Sequence, residues 1–317
     1  MSRGVFIASW IAVATGLFAS AVLPGLDILL MFLIPGLAAG YVSSLGAVPA
    51  FLIVGTAAAT PFILLVAAGL WGNAAQLLVN AGFSIFLIIA SWRRWSGPST
   101  FLIGFAALCC LVFLLLASGE GGMAYSYNDL RDFFAREFEA ARLRAEHEGL
   151  GSGQDLTEWF RRLETLAFSF FPAGAGILFL VISLTNVLAA RVVHGFRFKD
   201  TAPAPIFGPP FTDWRLPDGL VWGVIASGIA ALFLPPPYSL AGKNSLLVLG
   251  AIYAVQGLSI VKYAFAQLDV PAVGRWIVYL LIGLLWYGLL LLAVVGIANV
   301  WFDLRDHILK RRGIPST

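Results

Sequence analysis

The sequence predicts an all-α polytopic membrane protein: a bundle of eight or nine membrane helices that carries one amphipathic helical hairpin as an insertion. Three observations predict it. Hydrophobic residues make up 60% of the 317 and charged residues 12%, at a mean hydropathy of +0.89, which is too apolar for a soluble globule of this size. Nearly uncharged runs, most of them close to the ~20 residues that cross a bilayer, recur from one end of the chain to the other. Within them apolar residues are continuous instead of alternating, so helices rather than barrel strands must satisfy the backbone in lipid.

Nine runs qualify. Val5 to Val22 opens the series; with Arg3 ahead of it and Ala19-Ser20-Ala21 near its end, it reads either as an uncleaved first span or as a signal peptide. Gly25 to Ser44, Ala47 to Leu70 and Asn73 to Trp92 follow, joined by links as short as Leu23-Pro24 and Trp71-Gly72, which force antiparallel neighbours. Thr100 to Ala117 precedes a polar excursion. After it come Leu166 to Ala190, Gly219 to Leu234, Ser245 to Ala266 and Trp276 to Phe302. Trp10, Trp71, Trp92, Trp95, Trp214, Trp222, Trp276 and Trp301 fall at or near run ends, where an amphipathic ring suits the headgroup zone.

Basic residues set the topology, because cytoplasmic loops hold more Lys and Arg than exported ones. The weakest run, Gly219 to Leu234, ends at Pro235-Pro236-Pro237 and can enter and return on one side. Eight crossings then put Arg3, Arg93, Arg94, Arg191, Arg197, Lys199, Arg215, Lys243, Arg305, Lys310, Arg311 and Arg312 inside, against seven basic residues outside. Both termini become cytoplasmic in a bacterial inner membrane. A nine-crossing chain with its N-terminus outside fits the charges almost as well.

Three regions follow: membrane helices over 1–117, a polar hairpin over 118–165, and membrane helices over 166–317. In the hairpin, Leu130, Phe133, Phe134, Phe138, Ala141 and Leu143 gather on one side at helical spacing, with charged residues around the rest. Asn128 reads as the N-cap, Gly149, Gly151 and Gly153 as the break, and Asp155 with Glu158 as a capping box for a second helix running into the next span. Its apolar face calls for a cover, either a protein partner or the lipid surface. A second non-membrane stretch, Arg191 to Pro217, combines Pro203, Pro205, Pro209, Pro210 and Pro217 with Phe207, Phe211 and Trp214, and predicts an ordered, irregular strap.

Reactive constellations are missing from the sequence. There is no HExxH, CxxC or GxSxG, and Ala241-Gly242-Lys243-Asn244-Ser245 lacks the upstream glycine of a phosphate loop. His147, His194 and His307 are too scattered for a metal site, and 20 basic against 17 acidic residues, dispersed as they are, do not make a nucleic-acid surface. No catalytic residue, metal or cofactor is expected. What remains are polar groups at membrane depth, where they pair or line a cavity. Gln256, Ser259 and Tyr263 share a helix face at spacings of 3 and 4, with Lys262 beside them and Asn244 upstream. An amine, an amide and hydroxyls suit an anionic or polar small molecule; the alternative is that Lys262 snorkels to the interface. Asn73, Gln76 and Asn80 form a second stripe that suits interhelical hydrogen bonds; Asn186 and Asn299 are further polar candidates at membrane depth, Asp27 suits a helix start, and Gly36 with Gly40 a close helix contact.

Phe211-Thr-Asp-Trp214-Arg215-Leu216-Pro217, Ala254-Val255-Gln256-Gly257-Leu258-Ser259-Ile260 and Asn299-Val-Trp301-Phe302-Asp303-Leu304-Arg305 resemble the YybS-like family of bacterial multi-pass membrane proteins. That family is distantly similar to the substrate-binding subunits of energy-coupling-factor transporters. The resemblance implies a transport component without its own ATPase, served by a separate energising subunit. It carries over no functional residues. The expected function is thus a substrate-binding component for a polar small molecule, or else a non-catalytic scaffold of a membrane complex.

Overall fold

The computed structural model describes residues 3–22, 30–118, 122–149, 154–197, 207–285 and 287–311. Asp27, Gly151, Gly153, Lys199, Pro203, Pro205 and Arg312 lie outside these described residues. Twelve α-helices carry the described chain: α1 (Arg3–Val22), α2 (Ile34–Val42), α3 (Ala47–Ala67), α4 (Trp71–Trp92), α5 (Gly97–Ser118), α6 (Gly122–His147), α7 (Gln154–Arg197), α8 (Leu220–Phe233), α9 (Tyr238–Gln267), α10 (Ala272–Leu284), α11 (Gly288–Phe302) and α12 (Leu304–Arg311). Among the described residues there is no strand. Val48–Ala67, Trp71–Trp92, Asp155–Phe196 and Tyr238–Gln267 are long and apolar enough to cross a membrane, and α10 with α11 makes a fifth span if counted together. The protein is a polytopic helical membrane protein. Phe6–Ala19, Gly97–Leu111 and Leu220–Phe233 are shorter apolar helices.

Proline and glycine account for two departures from the expected runs. Within its described part the second run is broken: Leu30 and Met31 are helical, Phe32 and Leu33 turn, and α2 then starts at Ile34 with Pro35 in its first turn, where its missing N–H costs nothing. The last run is two helices bent by 107°, not one. Leu285 is extended there, and a Cβ on Gly288 would collide with the Ile282 carbonyl, so only glycine lets the chain turn so tightly.

The chain divides into two compact units. The first comprises residues 1–106, 179–220 and 251–317. Its core lies among α1, α3 and α4, where Leu17, Ile53, Val54, Leu77 and Leu87 are fully buried. Against α2, the second half of α7 comes to backbone contact: a Cβ on Gly36 or Gly40 would strike the Asn186 or Ala190 carbonyl. The Asn186 amide then serves the start of α2, accepting from the Gly36 N–H at 2.6 Å and donating to the Met31 carbonyl at 3.0 Å. That meets one of the N–H groups that the start of α2 leaves unpaired and the Met31 carbonyl just ahead of it.

The second unit comprises residues 107–178 and 221–250. Residues 154–178 of α7 belong here, and within them the amphipathic turn at Asp155 continues without a break in the helix into the apolar segment. Two caps are not where the spacing put them. Asn128 lies inside α6, which starts at Gly122, and Glu158 pairs with Arg161 and Arg162 instead of reaching back. Tyr127 and Phe134 of α6 meet Phe168 of α7 at ring distances of 5.2 and 5.9 Å, and Phe134 also meets Phe171 at 5.6 Å. Part of the hairpin's apolar face is therefore covered by its own chain, while Phe133 and Leu143 stay exposed. In the same unit α8 packs on α9 through Gly242, whose added Cβ would meet the α8 backbone at Ser227 and Ala231.

Candidate functional site

A strap of residues 207–217 lies in the first unit, and its backbone folds without the regular ladder of a helix or sheet. One short 3-10 turn, Phe211–Asp213, is its only regular element. An irregular buried backbone leaves amides and carbonyls unpaired unless side chains meet them, and here the polar residues singled out on α9 do so. Gln256 is 4% exposed; its carbonyl oxygen accepts from the Leu216 N–H at 2.9 Å and its amide donates to the Gly296 carbonyl at 3.3 Å. Ser259 is fully buried and donates to the Phe211 carbonyl at 2.8 Å.

Arginines complete the clamp. Arg305, at the start of α12, sends Nη2 to the Trp214 carbonyl at 2.8 Å and to the Ser259 hydroxyl at 2.7 Å. Arg191 of α7 sends its Nη2 to the carbonyls of Gly208 and Pro209 at 3.0 and 2.6 Å. Arg215 pairs with Asp303 at 3.2 Å on the exposed side. Burial, with the Arg215 charge nearby, pulls the Arg305 guanidinium below its usual value, and Asp213 and Asp303 offset part of that pull. It stays charged at neutral pH.

Aromatic rings fill the gaps between the donors. Trp214 is 3% exposed and packs against Gly97, where a Cβ would overlap the indole, and edge-on against Phe211 at 5.0 Å. Three cations lie over three rings: Arg191 over Trp214 at 6.0 Å, Lys262 over Phe211 at 5.6 Å and Arg305 over Tyr263 at 5.8 Å. Two glycines bring α11 within reach of α9. A Cβ on Gly257 would strike the Leu292 carbonyl, and one on Gly296 the Tyr253 carbonyl, which is why Gln256 can bond across to Gly296.

Four of the five residues proposed as a ligand face, Gln256, Ser259, Lys262 and Tyr263, thus come together at the strap. Gln256 and Ser259 spend their polar atoms on the protein, whereas Lys262 is exposed. Asn244 belongs to the second unit. Its amide accepts from the Ala173 N–H at 2.9 Å and donates to the Ser169 carbonyl at 3.0 Å, bridging the pair an unbroken helix would join just past Pro172. Arg305, Arg191 and Trp214 were not singled out as site residues. In the sequence Arg305 counts as a topology charge and as the end of the Asn299–Arg305 motif, two residues after Asp303.

Chemically the clamp is a set of donors aimed at main-chain carbonyls, with the Gln256 carbonyl oxygen as acceptor for the Leu216 N–H. Among the described residues no group of three or more His, Cys, Asp or Glu is placed to hold a metal ion. Elsewhere in the first unit, an apolar cavity of about 240 Å³ is lined by residues of α1, α2 and α7, including Ala12, Gly16, Ile34, Leu37 and Val193.

The family described as a predicted membrane protein, DUF2232, matches residues 11–300. The chain belongs to this family. No curated protein and no solved structure matches it. The DUF2232 match spans all of the elements that form the clamp up to Asn299, and Arg305 stands just beyond it.

Proposed function

We propose that this chain is a non-catalytic component of a membrane protein complex, which presents the α6–α7 hairpin to a partner and uses the clamp to hold its own strap and C-terminal helix in place. The observation that carries the reading is the use of Gln256 and Ser259: their hydrogen bonds go to Leu216, Gly296, Phe211 and Arg305, leaving little of the predicted face for a ligand. The partner's chemistry follows from charge. Residues 118–164 hold ten acidic and six basic residues, a net −4, whereas the rest of the chain, with 14 basic and 7 acidic, carries +7. Asp129, Asp132 and Glu137 are exposed and stand outside the ion pairs on α6. A basic surface fits them. On the topology read from the charges, the termini are cytoplasmic, the hairpin is exported, and the membrane is a bacterial inner membrane.

The test is cross-linking in native membranes with Asp129, Asp132 and Glu137 changed to Lys. The expected result is loss of a specific cross-linked species while insertion and monodispersity persist. An unchanged pattern of cross-links would sink the docking reading.

Exposed Lys262 favours a second reading, a substrate-binding transport component served by a separate ATPase, in line with the resemblance to YybS-like proteins and energy-coupling-factor subunits. On that reading, a polar metabolite stabilises the purified chain and Lys262→Met abolishes the effect.

A further inference from the structure

The clamp holds buried donors that the strap's carbonyls do not meet. Arg305 is 5% exposed, and with Nη2 spent on Trp214 and Ser259, its Nε and Nη1 are buried with no acceptor. Arg191 is in the same position at Nη1, and Trp214 at its indole N–H. On these three residues every unmatched buried atom is a donor, and two of the three carry a full positive charge. Leaving such groups unpaired is costly, so the missing group is rich in acceptors and negatively charged.

The nearby acids do not supply it. Asp213 accepts the Thr212 hydroxyl, and Asp303 pairs with Arg215. Lys262 adds a further exposed charge above the Phe211 ring. Ser259 connects the two cations, since it accepts from Arg305 and donates to the carbonyl of Phe211, the residue whose ring Lys262 covers. Arginine donors suit phosphate oxygens, and basic sites between helices near a membrane surface take lipid headgroups. The surface is close: Trp301, 61% exposed, stands two residues before Asp303, where the last apolar helix ends.

We propose that Arg305 and Lys262 are the inner and outer contacts of a phosphate site at the clamp, occupied by the headgroup of an anionic phospholipid. The proposal is independent of the docking reading, since it involves no residue of the hairpin.

Thermal stability of the purified full chain in detergent tests it, with added phosphatidylglycerol, phosphatidylcholine or inorganic phosphate, for the wild type, Lys262→Met and Arg305→Lys. Phosphatidylglycerol should raise the melting temperature of the wild type and phosphatidylcholine should not. Lys262→Met, at an exposed position, should fold normally and need roughly tenfold more phosphatidylglycerol for the same shift, as expected for loss of one charge-assisted contact. Arg305→Lys should weaken the response at least as much; if it does not fold, Lys262→Met decides alone. Equal shifts from the two lipids, or an unaltered response in Lys262→Met, would overturn the proposal. A full shift from inorganic phosphate would overturn the lipid assignment in favour of a soluble anion.

Discussion

Replacing Gln256 with Leu distinguishes a clamp from a ligand face most directly. The substitution keeps length and apolar bulk, but it strips the partners from two backbone groups at once, the Leu216 N–H and the Gly296 carbonyl. Gln256 is 4% exposed, so little water can replace it. A buried group left unpaired costs about 1–3 kcal/mol, which gives about 2–6 kcal/mol for the pair, and every 1.4 kcal/mol is about a factor of ten in the population of an open strap. If the strap relaxes and rehydrates, the cost falls to the lower end, still about 30-fold.

Hydrogen exchange of a peptide that contains Leu216 reads this directly. Exchange there should accelerate by at least about 30-fold in Gln256→Leu, while peptides from α3 and α4, to which Gln256 makes no hydrogen bond, stay protected. If Gln256→Leu leaves exchange at Leu216 unchanged, then Gln256 does not hold the strap and the clamp reasoning is wrong.

Other outcomes follow from the same geometry. Gly257→Ala should cost about 1–3 kcal/mol or misassemble, because its Cβ lands on the Leu292 carbonyl, and a monodisperse, equally stable variant would show that α9 and α11 separate easily. Cysteines introduced at Glu148 and His307 test topology in intact cells: an impermeant reagent should label the first and not the second, and labelling of His307→Cys alone would reverse the assignment. The hairpin should lose order in acid. The hydrogen bond from Arg142 holds the Glu139 carboxyl below its ordinary value, so its stabilisation is complete above the unfolded value of about 4.3 and is lost as pH falls through the lower folded one. Exchange rates of residues 139–147, corrected for intrinsic pH dependence, should rise over that window, and Glu139→Gln should flatten the rise.

The membrane class was legible from composition and the length of the apolar runs, and the face shared by Gln256, Ser259 and Tyr263 from helical spacing. What those residues bind was not. A helical stripe of polar groups looks the same whether it faces a ligand or an irregular backbone, and the strap arrives from forty or more residues away. Arg305 was hidden for a related reason: beyond the last apolar run a basic residue reads as topology, and only the reversal at Asp303, with φ of 35° and ψ of 69°, turns it back onto Trp214. The breaks at Pro35 and Gly288 were present as residue types, but hydropathy averages over them.

One rule links Asn186, Asn244, Gln256 and Asn299. Each amide meets backbone groups where a helix starts, bends or gives way to irregular chain: Gly36 and Met31 at the start of α2, Ala173 and Ser169 beside Pro172, Leu216 in the strap, and, for Asn299 through its acceptor, Leu304 past the end of α11. An amide is suited to this because it offers a donor and an acceptor side by side, matching the N–H and C=O that a broken helix exposes, without the charge a carboxylate would carry into lipid. The clamp arginines differ in kind. They bring only donors and a full charge, so they exceed what backbone carbonyls require, and that excess is what separates a site able to hold an anion from the structural amides around it.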